Sequence, residues 1–405
     1  MIATQLAARS AIEALRSGVP SPHAVEQLGT TQDEIREVFE ARFHSMLNDE
    51  PVDPLVLSAS FGSGKTHLLN YLSAIASKKG AVTGIVVVSP EMPLGNPHIV
   101  LKALATSSSA PGYEGRALRE LAIKMRTNST SWAAVRLWAR ENKLHDRVAA
   151  CLHAFEEAGA DDELRMHLVG EFEGNPIQLP ELRAKLKEIG QTTNYDLRGS
   201  ANNKIAHDRL AVLPQLFRTC GTSGWVVLFD ECERICRFAK GARLKCWAEL
   251  GWWQRAAQKS GARLLPVFAF ASGTIEEAIK TDESILSVRS GNLIHDDFNA
   301  MGRDGLEMIK RPMRLTPPTQ DQEARIAARV REIYSLAYPD SSITSTPHRV
   351  DISTTIRSEV RRWITQWDLM RHYPDYRPTI VEEKIATDLS EFEAEIMPTE
   401  NPEDD

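Results

Sequence analysis

The sequence lacks the features that mark disulfide-bonded, membrane-spanning or strongly basic proteins. Five cysteines among 405 residues are few and odd in number, which argues against a disulfide framework and favours a reducing compartment. No apolar run approaches the length of a membrane span. The formal net charge of −7 argues against non-specific nucleic-acid binding by the whole surface, although a local basic patch stays open. We therefore expect an ordinary globular protein of the cytoplasm.

The N-terminal region has the pattern of docked helices. Its first residues contain few acidic side chains, as transit peptides do, but they lack the apolar core of a secretory signal. The spacing of Ile12 and Leu15 favours a helix that packs on the rest of the protein. Further on, Thr31 and Glu34 form the pattern of a capping box, which predicts a helix capped by Thr31. Residues 1–50 are interpreted as an N-terminal helical region.

A glycine-bearing loop joins a short apolar run to a helical pattern. The run Leu55–Leu57 predicts a buried strand, and the apolar spacing after the loop predicts a helix. Gly62 and Gly64 let the backbone curl so that its N–H groups converge on phosphates, and the helix directs its positive N-terminal end at the same anion. Lys65 would reach the β- and γ-phosphates of ATP, and the Thr66 hydroxyl would bind Mg²⁺. The residues assigned to nucleotide binding are Ala59, Ser60, Phe61, Gly62, Ser63, Gly64, Lys65, Thr66 and His67, with Ala59 in the place of the pattern's first glycine.

Two adjacent acids follow a second apolar run. The run Trp225–Phe229 leads into Asp230 and Glu231, and a phosphate-binding loop needs a carboxylate at the end of a neighbouring strand. We expect Asp230 to hold Mg²⁺ through water and Glu231 to orient and polarise the attacking water. Successive side chains leave a strand in opposite directions, which would let the two acids divide these roles. The alternative is that the two acids lie at the N-terminus of a helix, where they only interact favourably with the helix dipole.

A third apolar run, Leu264–Phe270, precedes Ser272, which we expect to sense the γ-phosphate. Residues 313–315 predict a short final strand, and two amphipathic helices follow at 319–338 and 352–370. Loop, acidic strand, polar-tipped strand and helical lid occur in this order in additional-strand (AAA+) ATPases, which the chain resembles in this respect. Such enzymes complete their site with arginines. The resemblance implies Arg289 from a neighbouring subunit and Arg357 from the lid, with Arg303, Arg311 and Arg314 as competitors for the first role.

The predicted fold is therefore α/β, an AAA+ parallel sheet core with a large all-α insertion and a small C-terminal helical lid. Residues 98–217 have a helical pattern almost throughout and form the insertion, whose tryptophans are expected to build a small core of their own. The ATPase core comprises residues 51–97 and 218–315, and the lid residues 316–380. The acidic tail 381–405 is expected to be disordered.

Three further groups of residues are weighed as structural or functional. The cysteines at 232, 236 and 246 lack the spacing of a zinc site and are interpreted as buried thiols. The tryptophans at 247, 252 and 253 could stack on bases, but we favour helix packing. Arg361 and Arg362 beside Trp363 and Trp367 are the best candidate for touching DNA, and a buried helix stripe is the open alternative.

Several local patterns together resemble the BrxD-like P-loop ATPases of bacteriophage-exclusion (BREX) and related bacterial defence clusters, which in turn are similar to origin-recognition and helicase-loader AAA+ proteins. The resemblance rests on five stretches: 14–20 (ALRSGVP), 62–67 (GSGKTH), 89–94 (SPEMPL), 224–231 (GWVVLFDE) and 314–319 (RLTPPT). It implies that Lys65, Thr66, Asp230 and Glu231 serve ATP and Mg²⁺, and that a helicase of the same system is the partner. AAA+ kinship further implies a homo-oligomer whose subunits meet at the nucleotide.

The function that these expectations support is Mg²⁺-dependent ATP hydrolysis that loads or controls a partner DNA helicase in anti-phage defence. One alternative is a switch or scaffold that binds ATP with negligible intrinsic turnover. The other is a DNA-binding loader similar to origin-recognition proteins, whose DNA affinity would depend on salt and on Arg361 and Arg362.

Overall fold

Five parallel strands form the central sheet of the protein. The computed structural model describes residues 2–18, 21–60, 62–113, 115–159, 161–191, 194–197, 203–273, 276–288, 291–339, 355–373 and 376. The strands are β1 (Leu55–Ala59), β2 (Val82–Val87), β3 (Trp225–Asp230), β4 (Leu264–Ala271) and β5 (Met313–Arg314). Their order in the sheet is β2-β3-β4-β1-β5, and every pairing is parallel. The four strands predicted above from the sequence are confirmed as β1, β3, β4 and β5.

The strand order brings the two sequence motifs to one edge of the sheet. Every residue of β1, β3 and β4 is buried, as expected for central parallel strands covered on both faces. β4 lies between β1 and β3, so it is the immediate neighbour of both. Because the carboxyl ends of parallel strands meet at one edge, the loop after β1 and the acids after β3 lie near each other with the tip of β4 between them.

Sixteen helices are present in the described part of the chain. They are α1 (Ile2–Ser17), α2 (Pro22–Leu28), α3 (Asp33–Leu47), α4 (Lys65–Lys78), α5 (Pro97–Ser107), α6 (Ala117–Ala122), α7 (Thr130–Glu141), α8 (Asp146–Glu156), α9 (Asp162–Phe172), α10 (Leu179–Glu188), α11 (Asn203–Thr219), α12 (Lys240–Ala257), α13 (Glu276–Leu286), α14 (Leu293–Ile309), α15 (Gln320–Ala337) and α16 (Ile356–His372), with a 3₁₀ helix at Cys232–Arg237. In the residues that the structure describes, none of these helices has the length and apolarity needed to cross a membrane.

Helices α5 to α11 lie between β2 and β3 in the chain, in the stretch where the sequence predicts a helical insertion. Trp132 stacks on Phe155 with ring centroids 5.2 Å apart. Both side chains belong to a buried cluster that continues into Val82 and Phe229 of the sheet. The expectation of a separate small core is therefore wrong, because the insertion buries its apolar side chains together with one face of the sheet.

The opposite face of the sheet is covered by α3 and α4. Phe39 and Phe43 of α3 and Leu68 and Leu72 of α4 form a second buried cluster with Leu228 of β3 and other sheet residues. The helix that follows the predicted phosphate-binding loop is thus fixed by packing against β3, which leads into the two acids.

The two C-terminal helices share a core with the first helix of the chain. Ala8 and Ile12 of α1 pack with Val330 and Tyr334 of α15 and with Trp367 of α16. The predicted docking of the N-terminal helix is confirmed, and its partners are the helices predicted as the lid. Trp363 and Trp367 are buried here at 3% and 0% exposure, which supports the buried-stripe alternative over base stacking.

The remaining aromatic predictions hold, and the cysteine predictions hold in part. Trp247 and Trp253 are fully buried, and Trp252 stacks on His207. The five cysteines, all within the described residues, are free; Cys232 and Cys246 are buried as predicted, whereas Cys236 is only partly buried, which corrects the prediction for that residue. Burial raises the pKa of the Cys232 thiol well above its usual range. Other predictions fall on residues outside the described ranges: Phe61, Arg289, the segment 352–354 and the tail 381–405.

Candidate functional site

The loop between β1 and α4 has the backbone of an anion cradle. Ala59 ends β1, and the Ser60 carbonyl then accepts hydrogen bonds from the backbone N–H of Ser63 at 3.3 Å and from its hydroxyl at 2.6 Å. Gly62 and Gly64 have φ angles of +75° and +96°. Glycine adopts this left-handed conformation without the strain that a Cβ atom causes. The two glycines therefore permit the curl that the sequence predicts.

The space in front of the loop suits a phosphate group. Gly64 precedes α4 without a side-chain cap on the helix, so the first N–H groups of α4 have no side chain from that position as a partner. A Cβ atom added to Gly64 would meet nothing within 4 Å. A Cβ atom on Gly62 would lie 2.9 Å from Thr355 Cγ2, so the start of α16 lies directly against the loop. The loop is therefore open beside Gly64 and covered by the start of α16 beside Gly62, which leaves room for an anion at the first turn of α4.

Thr66 and Asp230 form the closest link between the two motifs. The Thr66 hydroxyl donates a 2.6 Å hydrogen bond to Asp230 Oδ2, and Asp230 is 3% exposed. A hydroxyl and a carboxylate are hard oxygen ligands of the kind that Mg²⁺ prefers. The donor set therefore fits the metal that the sequence predicts.

Glu231 leaves the strand in an unusual conformation. It has a left-handed backbone with φ +56° and caps the 3₁₀ helix rather than continuing β3, a conformation that costs a non-glycine residue about 1 kcal/mol or more. Its N–H donates to Asp230 Oδ1 at 2.9 Å, and its carboxylate pairs with Arg234. The expectation that the two acids diverge by strand alternation is wrong, because the strand ends at Asp230.

Lys65 faces an acid that the sequence reasoning missed. Its ammonium nitrogen lies 4.0 Å from Glu233 Oε1, and Lys65 is 8% exposed. Glu233 Oε2 accepts a 2.9 Å hydrogen bond from the backbone N–H of Ala271 at the end of β4. The signal in the sequence is the third acid within four residues, Asp-Glu-Cys-Glu, after an apolar run.

Ser272 lies beside the start of the loop between β1 and α4. Ala271 is aligned with Ala59 across the pairing of β4 and β1, and the Ser272 N–H donates to the Ala59 carbonyl at 3.0 Å. The Ser272 side chain is exposed. The structure thus brings Ser272 next to the loop, in line with its predicted position.

A cavity extends from the loop toward the N-terminal helices and the helices predicted as the lid. It is lined by Gly62–Gly64, Thr66 and His67, by the connection between α2 and α3, and by α16. Its apolar wall includes Leu15, Leu28, Leu315, Ile326 and Val360. Arg357 also lines it and is itself exposed, with its side chain close to Gly18. An apolar cavity that adjoins an anion cradle suits the base and ribose of a nucleotide.

His67 links the loop to the N-terminal region. Its Nε2 lies 2.7 Å from the Gly29 carbonyl oxygen, so Nε2 carries the proton and donates. Removal from water lowers the pKa of the His67 imidazole, and the hydrogen bond to Gly29 opposes this shift. His67 lines the cavity, and its ring nitrogen is engaged by the chain itself.

Gln32 makes a second link, which the sequence reasoning missed. Gln32 rather than Thr31 precedes α3, and its side chain does not cap the helix. Its amide group instead donates to the Thr316 carbonyl at 2.8 Å and accepts from the Thr316 N–H at 3.0 Å. The predicted cap by Thr31 is wrong because Gln32 follows it and bonds to the segment between β5 and α15.

The competing arginines have different surroundings. Arg303 donates to the Leu286 carbonyl at 2.6 Å. Arg311 is 87% exposed and lies 3.6 Å from Glu307, and Arg314 in β5 is exposed. Arg357 alone among the described arginines named as candidates lines the cavity.

Comparison with known proteins assigns the chain to a family. A family model described as BREX system ATP-binding protein BrxC/D matches residues 4–121 and 149–379. Searches of the curated proteins and of the solved structures found no match. The matched residues include the loop between β1 and α4, both acids and the residues that line the cavity. The chain belongs to the BrxC/D family of BREX system ATP-binding proteins.

Proposed function

We propose that the protein is an Mg²⁺-dependent ATPase of a bacterial anti-phage defence system. The observation that carries the proposal is the 2.6 Å hydrogen bond between Thr66 and Asp230, which are 164 residues apart in the chain. It joins a glycine-bearing loop and a strand-end carboxylate beside an apolar cavity, in a chain of an ATP-binding family. Hydrolysis needs these parts together, whereas a structural turn needs none of them.

Each residue of the site has a role in this proposal. Lys65 binds the phosphates, and Thr66 and Asp230 hold Mg²⁺, which neutralises charge on the phosphates when bound. Glu231 orients and activates the attacking water. Ser272 contacts the γ-phosphate from the tip of β4. The loop residues 59–64 and His67 form the surrounding wall.

The sheet order supports an additional-strand (AAA+) ATPase, since β4 is inserted between β1 and β3. In this proposal α15 and α16 are the lid, and Arg357 reaches the nucleotide from the cavity wall. Arg289 of a neighbouring subunit completes the site in a homo-oligomer. ATP-driven changes at the lid would then load or control a partner DNA helicase of the same defence system.

A second candidate is an ATP-binding switch with negligible intrinsic turnover. The contact that favours it is the pairing of the Glu231 carboxylate with Arg234, which engages the water-activating group within the isolated chain. In that case a partner, or an arginine from another subunit, must release Glu231 before hydrolysis. A direct DNA-binding loader has less support, because Trp363 and Trp367 are buried.

Two variants and a control test the proposal. Lys65→Ala should weaken ATP binding strongly, and Glu231→Gln should retain binding and stop phosphate release. Lys78→Ala removes an exposed lysine of the same helix and should leave both unchanged. Hydrolysis by Glu231→Gln at the parent's rate would overturn the assignment of the base. Phosphate release measured with and without a co-purifying helicase separates the ATPase from the switch, and release in neither case favours the scaffold.

A further inference from the structure

The lysine assigned to the phosphates already has an acidic neighbour. Lys65 is 8% exposed, and its Nζ lies 4.0 Å from Glu233 Oε1. An ammonium group removed from water needs a compensating charge, and the Glu233 carboxylate lies close enough to supply one. Glu233 has no part in the hydrolysis proposed above.

The same carboxylate contacts the end of β4. Glu233 Oε2 accepts the Ala271 N–H at 2.9 Å, and Ala271 is followed by Ser272, whose N–H donates to the Ala59 carbonyl. Glu233 therefore bridges the phosphate-binding lysine and the strand tip that carries Ser272. One oxygen is available to the lysine while the other is held by the backbone.

We propose that Glu233 is a positioning residue that holds Lys65 before the nucleotide binds and releases it to the phosphates afterwards. This inference rests on the proposed function. The phosphates bring more negative charge than one carboxylate and replace it as the partner of the lysine. When the phosphates have replaced Glu233 as the partner of Lys65, Glu233 keeps its hydrogen bond to Ala271. The negative charge of Glu233 beside the tip of β4 is then no longer neutralised by the lysine. The site thus couples the lysine to Ser272 through a single carboxylate.

Glu233→Gln separates the two contacts of this residue. Glutamine keeps an oxygen for the Ala271 N–H but removes the negative charge that faces Lys65. Nucleotide binding then no longer has to break the contact between Lys65 and a negatively charged Glu233. ATP and ADP should therefore bind about 3- to 10-fold more tightly in titration calorimetry. Glu233→Ala loses both contacts and should have a lower thermal midpoint than Glu233→Gln. Glu283→Gln removes the acid of a surface pair with Lys310 and should leave nucleotide affinity unchanged.

A double-mutant cycle distinguishes this coupling from a structural role. In the Lys65→Ala background, with millimolar ATP followed by NMR, Glu233→Gln should no longer tighten binding. If Lys65→Ala alone leaves ATP affinity unchanged, the proposed function itself fails. If Lys65→Ala weakens ATP but Glu233→Gln changes affinity less than twofold, or changes it equally in both backgrounds, only the role of Glu233 is overturned.

Discussion

The side chain of Gln32 bonds to both polar groups of the Thr316 backbone, accepting from its N–H and donating to its carbonyl oxygen. The two residues are 284 positions apart in the chain. Gln322 adds a weaker contact in the same place, since its amide nitrogen lies 3.4 Å from the Thr31 carbonyl. The segment that leads from β5 to α15 is thus attached to the start of α3. Gln32 lines the cavity, so this attachment also fixes part of the cavity wall.

Gln32→Leu should weaken ATP binding by about 3- to 10-fold. The variant removes two neutral hydrogen bonds, each with a net contribution of about 1 kcal/mol or less at a partly exposed position, and it releases one wall of the cavity. Gln32→Glu keeps the acceptor and should lie between the variant and the parent. Gln27→Leu is the control, because Gln27 accepts a hydrogen bond from Arg329 through its backbone carbonyl, which the substitution keeps. Equal affinity of Gln32→Leu and the parent would show that this attachment has no effect on the nucleotide.

The hydroxyl at Thr66 should be required for the effect of Mg²⁺. Thr66→Val removes the hydroxyl that bonds to Asp230 while keeping the shape of the side chain. We expect phosphate release to fall at least about 100-fold and the Mg²⁺ dependence of ATP affinity to disappear. Thr66→Ser keeps the hydroxyl and should stay within about threefold of the parent. A magnesium titration of both variants measures this, and normal Mg²⁺ dependence in Thr66→Val would contradict the assignment.

The features that the sequence predicts well are those determined by local pattern. β3 is a continuous apolar run and is buried at every residue, and Gly62 and Gly64 have the positive φ angles that a tight phosphate-binding turn requires. The position of Asp230 and Glu231 near this turn is also predictable, because parallel strands place their carboxyl ends at one edge of the sheet. The apolar pattern of the strands, the glycines of the turn and the direction of the strands are sufficient to predict this part of the candidate site.

The features that the sequence does not predict depend on distant partners. Gln32 has the position of a helix cap, and its side chain bonds instead to a segment 284 residues away. Glu231 adopts a left-handed backbone that no local propensity favours. The α1 helix packs on α15, and Arg9 donates to the Ala337 carbonyl across 328 residues. Tertiary packing decides each of these positions, so local sequence has no information about them.

His67 should make the stability of the protein depend on pH below neutrality. Its pKa in the folded protein is lowered from the usual 6.5, chiefly by removal from water. The unfolded chain therefore takes up a proton at a higher pH than the folded chain does. The free energy of unfolding should fall as pH decreases through about 6.5 and level off below the folded-state pKa.

The contribution of His67 can be isolated by difference. Thermal midpoints of the parent and of His67→Gln are compared between pH 7.5 and 5.0. Glutamine is chosen because its side chain still offers an N–H to the Gly29 carbonyl but does not take up a proton. The parent should lose more stability on acidification than the variant. Identical pH profiles would mean that His67 is protonated equally in the folded and unfolded states.

The close approach of α12 and α14 should be highly sensitive to small substitutions. A Cβ atom at Gly251 would lie 2.0 Å from the Met301 carbonyl oxygen, and one at Gly305 would lie 2.1 Å from the Trp247 carbonyl oxygen. Both obstacles are backbone atoms, so the helices must separate to admit a methyl group. Gly251→Ala and Gly305→Ala should each destabilise the protein by about 3 kcal/mol or more.

Gly241 provides the matched control on the same helix. A Cβ atom there would meet nothing within 4 Å, and alanine is favoured over glycine in a helix by up to about 1 kcal/mol. Gly241→Ala should therefore be neutral or slightly stabilising in urea unfolding, while the two variants at the crossing unfold at much lower urea or fail to fold. If Gly251→Ala unfolds at the same urea concentration as Gly241→Ala, the two helices do not approach as closely as their glycines allow, and the packing of α14 against α12 must be revised.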